Sequence, residues 1–258
     1  MIKPKKSLGQ NFLQDPNTIR KIVAAVPAPE DAHVVEIGPG LGALTGLLRE
    51  RFRHVTALEV DYRAIRYLRE QHPGLDVRHQ DVLTTDWAAL RGEHDAPLHV
   101  IGNLPYYITT PILFGLLDAH QHLESAILMM QKEVADRLVA PPRTKTYGTL
   151  SVQTQLWSRP KLLFKVSRNV FFPKPGVDSA IVRLTFDQAP PDIAREAVSE
   201  VVRAAFNQRR KTLHNSLGAW TRERGIRLPD AWEKLRADAV PADLFVEITR
   251  YLTAHDGR

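Results

Sequence analysis

Cysteine is absent from the 258 residues. That absence excludes disulfides, thiolate zinc sites and a cysteine nucleophile, and it accords with a reducing compartment. Long hydrophobic runs are missing too. The longest beside a candidate strand covers only residues 126–130, far short of the roughly 20 apolar residues that span a bilayer. The N-terminal Met1-Ile2-Lys3-Pro4-Lys5-Lys6 is basic, but no apolar stretch follows it, so it does not read as a secretory signal. There is no internal repeat and no low-complexity tract. These absences lead us to expect a soluble, cytoplasmic protein with no membrane partner and no bound metal.

What remains is ordinary globular composition, 43% hydrophobic and 25% charged. The length accommodates one large α/β domain plus a small helical one. The formal net charge is +6. A basic balance suits a polyanionic partner, because cations that neutralise phosphates release counterions, but it equally describes a solvated surface. Placement says more than the sum. Basic residues cluster at Lys3, Lys5 and Lys6, at Arg143 and Lys145, and at Arg209-Arg210-Lys211.

Residues 34–37, 55–60, 75–79, 98–102 and 126–130 read as strands, with helical segments at 41–51, 61–71 and 110–117 between them. Strands alternating with helices imply a parallel sheet covered on both faces. Right-handed crossovers gather the carboxyl ends of the strands on one edge, where ligands bind. Residues 161–166 and 179–186 read as a closing pair of strands. From residue 192 the pattern is helical only, broken at Gly218, Gly225, Pro229 and Pro241. We place a domain boundary near 187–191, giving domains 1–187 and 188–258.

Val34-Val35-Glu36-Ile37-Gly38-Pro39-Gly40-Leu41-Gly42 is a strand entering a glycine-rich turn and a helix. Glycine permits positive φ and close approach of a ligand to the backbone, and a helix start offers unpaired N–H groups. Glu59 ends the next strand, about 20 residues on, where an acid binds ribose hydroxyls. A nicotinamide enzyme and a methyltransferase share this much. Two features favour the methyl donor. Glu36 would oppose a pyrophosphate but suits a zwitterionic methionine tail and a sulfonium. Asp81, in Gln80-Asp81-Val82-Leu83, offers a carboxylate to an exocyclic adenine amine. The bland alternative is a tight turn with two ordinary loop acids.

Val100-Ile101-Gly102-Asn103-Leu104-Pro105-Tyr106-Tyr107 leaves the fourth strand at the same edge. Its chemistry suits methylation of a planar amine. The N6 lone pair of adenine is delocalised into the ring and must pyramidalise to attack. The Asn103 side-chain carbonyl and a backbone carbonyl, taken as that of Leu104, accept N6–H bonds and favour that geometry. Pro105 stiffens the turn. Tyr106 offers a π-face for a flipped base. No strong general base is required, since water takes the proton once nitrogen is alkylated, and most of the rate should come from positioning. The bland alternative is a proline turn with a structural asparagine and a buried tyrosine.

A second aromatic site lies in Asn169-Val170-Phe171-Phe172-Pro173-Lys174-Pro175-Gly176-Val177-Asp178-Ser179. One of the two phenylalanines should be core. We assign Phe171 to the other face of the target base, opposite Tyr106.

These motifs resemble the KsgA-type family of 16S ribosomal RNA adenine dimethyltransferases. The resemblance runs from Lys6-Ser7-Leu8-Gly9-Gln10-Asn11-Phe12-Leu13 through the Glu36–Gly42 loop, Leu58-Glu59-Val60-Asp61, Asp81-Val82-Leu83, the Asn103–Tyr107 segment and the proline loop to Phe206-Asn207-Gln208-Arg209-Arg210-Lys211. It implies a class I, Rossmann-like, S-adenosylmethionine-dependent methyltransferase with a small C-terminal all-helical domain. It implies transfer of methyl groups to N6 of two adjacent adenosines in the 3′-terminal hairpin loop of 16S rRNA, leaving S-adenosylhomocysteine. The family also acts in assembly, binding an immature 30S subunit.

By the same resemblance Asn11, Leu13 and Gly38 contact the methionine end and nearby parts of the cofactor, and Gly40 and Val82 also bind the cofactor. Glu59 takes the ribose, Asp81 the adenine amine, and Asn103 borders cofactor and target. Gln10 lines the pocket.

Two related branches fit less well. Erythromycin-resistance enzymes act on large-subunit RNA, and the 206–211 stretch resembles the small-subunit enzymes better. Mitochondrial transcription factors of the superfamily have reduced or lost methylation, whereas Asn103-Leu104-Pro105-Tyr106 is intact here. A nicotinamide oxidoreductase would leave that segment unexplained. We expect a monomer whose phosphate contacts come from Lys5, Lys6, Arg143, Lys145, Arg209, Arg210 and Lys211.

Overall fold

The runs at 33–37, 54–59 and 98–103 are buried almost throughout, as strands covered on both faces are, and they form the middle of a sheet. The structure is a computed structural model that describes residues 4–5, 9–92 and 96–255. Lys6, assigned above to RNA, lies outside the described residues, as do Lys3, Ser7 and Leu8. By Cα proximity the chain divides into two compact units: Met1–Ala135 with Lys161–Asp187, and Asp136–Pro160 with Gln188–Arg258. A single boundary near 187–191 therefore does not describe the grouping, because residues 136–160 cluster with the C-terminal helices.

The first unit runs β1 (Phe12–Leu13), α1 (Pro16–Ala24), β2 (His33–Ile37), α2 (Thr45–Arg51), β3 (His54–Glu59), α3 (Tyr62–Gln71), β4 (Asp76–His79), α4 (Trp87–Gly92), β5 (Leu98–Asn103), α5 (Thr109–Asp118) and β6 (Leu123–Gln131). Then come α6 (Lys132–Leu138) and, later in the chain, β7 (Arg159–Val166), β8 (Phe171–Phe172) and β9 (Ser179–Thr185). Seven strands form one sheet in the order β4-β3-β2-β5-β6-β9-β7. β4, β3, β2, β5 and β6 pair in parallel, and β6 pairs antiparallel with β9.

The strand order reverses between β2 and β5, and a parallel sheet opens a crevice at such a switch point. The two strands lie unusually close there. A Cβ built on Gly102 would sit 2.9 Å from the Ile37 carbonyl oxygen, a separation only glycine permits. The helices flanking the sheet are built from apolar stripes. In α3, Ala64, Ile65 and Leu68 are buried, and Asp61 caps the first turn by accepting from the Arg63 N–H.

The segment read as a helix at 41–51 begins only at Thr45, because Gly38, Gly40 and Gly42 all take positive φ and hold the preceding turn open.

β1 and β8 make a separate two-stranded ribbon, pairing Phe12 with Phe172 and Leu13 with Phe171. This ribbon corrects the assignment of Phe171 to the target base. Side chains alternate across a strand, so Leu13 and Phe171 point together into the core, where they are 6% and 5% exposed beside Ile22, Val166 and Ile181. Phe172 is the one turned outward, 54% exposed.

The second unit holds α7 (Thr149–Trp157), α8 (Arg195–Asn207), α9 (Leu213–Ser216), α10 (Gly218–Glu223), α11 (Asp230–Glu233) and α12 (Ala242–Ala254). Val198, Val201, Val202 and Ala205 of α8 and Phe245, Ile248 and Leu252 of α12 form its interior. Phe206 bridges the buried rings of Tyr147 and Phe245, with centroids 6.1 and 5.9 Å away. Among the described residues, no helix is long and apolar enough to cross a membrane, and no group of His, Asp and Glu is placed to hold a metal ion.

Candidate active site

A cavity of about 400 Å³ opens in the first unit, at the carboxyl ends of β2, β3, β4 and β5, with residues 9–14 along one side. Every described residue assigned above to the cofactor lines it: Gln10, Asn11, Leu13, Glu36, Gly38, Gly40, Glu59, Asp81, Val82 and Asn103. Leu104, Pro105 and Tyr106 line it as well, and Phe171 does not.

The glycine turn is shaped by conformation and by contact. Gly38 and Gly40 have φ of 61° and 57°, in the region that disfavours a side chain. A Cβ on Gly40 would also press to 3.1 Å from the Phe12 ring. Glu59 ties the end of β3 to this turn. One carboxylate oxygen accepts from the Val60 and Asp61 N–H groups at 2.9 Å, and the other accepts from Gly40 N–H at 3.1 Å.

Glu36 is 2% exposed. Burial above all, with the Glu59 charge adding to it, raises its pKa to about 7 against a 2.6 Å hydrogen bond donated by the Thr45 hydroxyl. The group is thus poised between neutral and ionised forms and would be drawn to ionise by a nearby cation.

The N-terminal segment is fastened by polar contacts. Gln10 donates to the buried Asp61 carboxylate at 3.3 Å, and the Lys5 N–H donates to Gln10 Oε1 at 2.8 Å. The Lys5 ammonium also lies 3.4 Å from Asp61, so this lysine holds the segment as well as carrying charge. Bonds from Arg63 above all keep the Asp61 carboxyl far below the usual carboxylate range.

At the end of β5, Asn103 donates its amide N–H to the Asn11 carbonyl at 3.0 Å. Its Oδ1 has no hydrogen-bond partner among the described residues. Leu104 N–H is spent on the Met129 carbonyl at 3.0 Å, and the Pro105 carbonyl accepts from Ile108 N–H and the Thr109 hydroxyl. The Leu104 carbonyl accepts no bond among the described residues. Tyr106 is half-buried, its hydroxyl 2.7 Å from that of Ser179, and burial raises its pKa so that the phenol stays neutral. Two carbonyl acceptors and an aromatic ring thus line the same cavity as the glycine turn and its two acids.

The family model for ribosomal RNA adenine dimethylase matches residues 1–254. The chain belongs to the ribosomal RNA adenine dimethylase family. Among its relatives, the ribosomal RNA small subunit methyltransferase A of Salinibacter ruber is 53% identical over 98% of this chain and 86% of its own length. The protein of that name from Geobacillus thermodenitrificans is 47% identical over 83% and 75%. A dimethyladenosine transferase from Plasmodium falciparum shares the fold, with a TM-score of 0.78 at 24% identity over 95% of this chain and 98% of its own. The 23S rRNA methyltransferase ErmE superposes with a TM-score of 0.68 at 30% identity over 94% and 100%.

The enzyme is therefore an S-adenosylmethionine-dependent ribosomal RNA adenine dimethyltransferase with a Rossmann-like fold. The nicotinamide alternative is set aside.

Its basic residues sort into two kinds. Arg143 adopts φ of 68°, and its N–H donates to the Asp238 carbonyl at 2.6 Å. Arg209 spends its guanidinium within the protein, donating to the Lys145 and Thr144 carbonyls at 2.7 and 2.8 Å with Asp238 3.8 Å away. Expected as a phosphate contact, Arg209 also fastens the 143–147 loop through these bonds. The side chains of Arg143, Lys145, Arg210 and Lys211 are exposed.

Sequence reasoning missed Thr45, Asp61 and Ser179 as partners of site residues. Asp61 follows Glu59 closely and Ser179 ends the proline loop, but only tertiary structure shows what they touch. Thr45 carries no sequence signal.

Proposed function

We propose that this enzyme dimethylates N6 of two adjacent adenosines in the 3′-terminal hairpin loop of 16S rRNA. We further propose that it does so as a cytoplasmic monomer on an immature 30S subunit, whose assembly it assists. The name shared by relatives at 53% and 47% identity supports the small subunit as target. A hairpin-loop adenine is already partly unpaired, so extruding it costs less than from a duplex. In this reading the first unit carries the cofactor and the reaction. The second supplies phosphate contacts through Arg143, Lys145, Arg210 and Lys211, so RNA binding extends beyond residues 188–258 to the 136–160 segment grouped with them.

The observation that carries the reading is the orientation of Asn103. Its amide N–H is spent on Asn11, which leaves Oδ1 to pair with the Leu104 carbonyl as acceptors for the two N6–H groups. They pull the amine toward tetrahedral geometry and stabilise the positive charge that develops on it. Tyr106 stacks on the base.

S-adenosylmethionine supplies an electrophilic methyl on a sulfonium. Glu59 holds its ribose hydroxyls and Asp81 its adenine amine. Gln10, Asn11, Leu13, Gly38 and Gly40 line the methionine end, and Val82 packs beside the adenine. The buried Glu36 carboxylate faces the cation with its charge little screened. The N6 proton leaves to water after alkylation, so no titrating base is needed.

Transfer of labelled methyl from S-adenosylmethionine to 30S particles lacking the modification tests the proposal. Nucleoside mapping should place dimethyladenosine at adjacent positions in the 3′-terminal hairpin. Label confined to other sites, or to 50S particles, would overturn it.

A further inference from the structure

The Tyr106 hydroxyl reaches 73 residues along the chain to bond Ser179. Ser179 is fully buried and opens β9 opposite Gln131, the last residue of β6. Its neighbour is held from three directions. The Asp178 carbonyl accepts from Lys132 N–H at 3.0 Å, and its carboxylate accepts from Arg168 N–H at 2.9 Å and pairs with Lys165 at 2.7 Å. Leu104, which carries one proposed acceptor, is fixed to Met129 of the same β6. The two acceptors and the ring are thus referenced to one rigid pair of strands. A half-buried ring needed only for packing would do as well as phenylalanine, whereas this one is pinned at its far end.

We propose that Ser179 is a positioning residue that holds the far end of the Tyr106 ring against swinging, and thereby governs the second methyl transfer more than the first. The proposal rests on the reading of Tyr106 as the platform for the target base. In the first transfer N6 offers two N–H groups, one to Asn103 Oδ1 and one to the Leu104 carbonyl. The methyl–sulfur bond breaks, the methyl–nitrogen bond forms, and one N6 proton passes to water. The product amine keeps a single N–H, so the acceptor pair grips it with one bond fewer. Alignment of the second transfer then leans on stacking, and stacking geometry depends on a ring that cannot rock. A hydrogen bond is worth about a factor of ten when its loss is felt in the transition state.

Ser179→Ala and Tyr106→Phe each remove the tether and keep the ring. The experiment compares both variants, their combination, Tyr106→Ala and the parent enzyme on unmethylated 30S particles. Monomethyl- and dimethyladenosine are quantified over time, with a melting curve for each protein. We expect each tether variant to slow the second transfer about tenfold relative to the first, so that monomethyladenosine accumulates. The combined variant should be no worse than either single one. Loss of folded enzyme alone would slow both transfers equally and leave the ratio of products unchanged. If Tyr106→Ala is impaired but both tether variants keep the parental ratio, the role of Ser179 is refuted while the platform stands. If Tyr106→Ala leaves both transfers intact, the platform reading itself falls. Should Ser179→Ala fail to fold, Tyr106→Phe decides alone.

Discussion

The side-chain amide of Asn103 donates to the backbone carbonyl of Asn11 across 3.0 Å, joining the end of β5 to the segment along the cofactor cavity. One side chain therefore serves two purposes in the proposed reaction: its nitrogen holds that segment and its oxygen is left to accept from the target amine. Asn103→Ala should lower kcat by about 10²–10³-fold, the usual cost of one such electrostatic contact. It should also weaken S-adenosylhomocysteine binding, because the segment is released. Asn103→Asp should do no better, since an oxygen then faces the Asn11 carbonyl. Single-turnover methyl transfer and calorimetry check both.

Glu36 predicts a pH signature. Burial raises its pKa from an ordinary 4.5 to about 7, so between those values the folded chain binds more protons than the unfolded one. Stability then falls as pH rises from about 4.5 to about 7 and levels off above. Glu36→Gln, neutral throughout, should lack that decline and gain melting temperature relative to the parent between pH 5 and pH 8. A sulfonium favours the ionised form. The preference for S-adenosylmethionine over neutral-sulfur S-adenosylhomocysteine should grow through pH 7 in the parent and stay flat in the variant. Calorimetric titrations at three pH values read both.

Arg209 and Arg210 are neighbours with different work. Arg210→Gln should leave the fold intact and reduce the slope of log affinity against log salt by about one, as expected for a lost phosphate contact. Arg209→Gln should keep the slope near parental while loosening the loop it holds, so that trypsin cuts faster after Arg143 and Lys145. Limited proteolysis and filter binding at several salt concentrations distinguish them.

Phe171→Ala should cost about 3–5 kcal/mol of stability, the range for a large aromatic removed from a core. Phe172→Ala, on the outward face of the same ribbon, should shift stability by less than about 0.5 kcal/mol. Chemical denaturation measures the pair.

The sheet was legible because β2, β3 and β5 are apolar runs ending in glycine or acid, and the ligand edge follows from alternation with helices. The residues lining the cavity were legible because Gly38, Glu59, Asp81 and Asn103 each sit at or just past the end of a strand. Phe171 was misread because a two-residue strand has no periodicity; only its pairing with Leu13 shows which ring turns inward. The hold of Arg209 on the 143–147 loop was not legible, because bonds from a guanidinium to backbone carbonyls far off in the chain leave no mark in the sequence. The grouping of residues 136–160 with the C-terminal helices depends on packing between segments far apart in the chain.

Phe12 and Phe172 pair although about 160 residues separate them, and closing so long a loop is entropically late work for a folding chain. A nascent polypeptide that has emerged only through β6 already carries Asn103 and Asp61, which bond Asn11 and Gln10, yet lacks the strand that pairs with Phe12 and Leu13. The wall of the cavity made by Phe12 and Leu13 is therefore completed last, by a strand from the far end of the first unit.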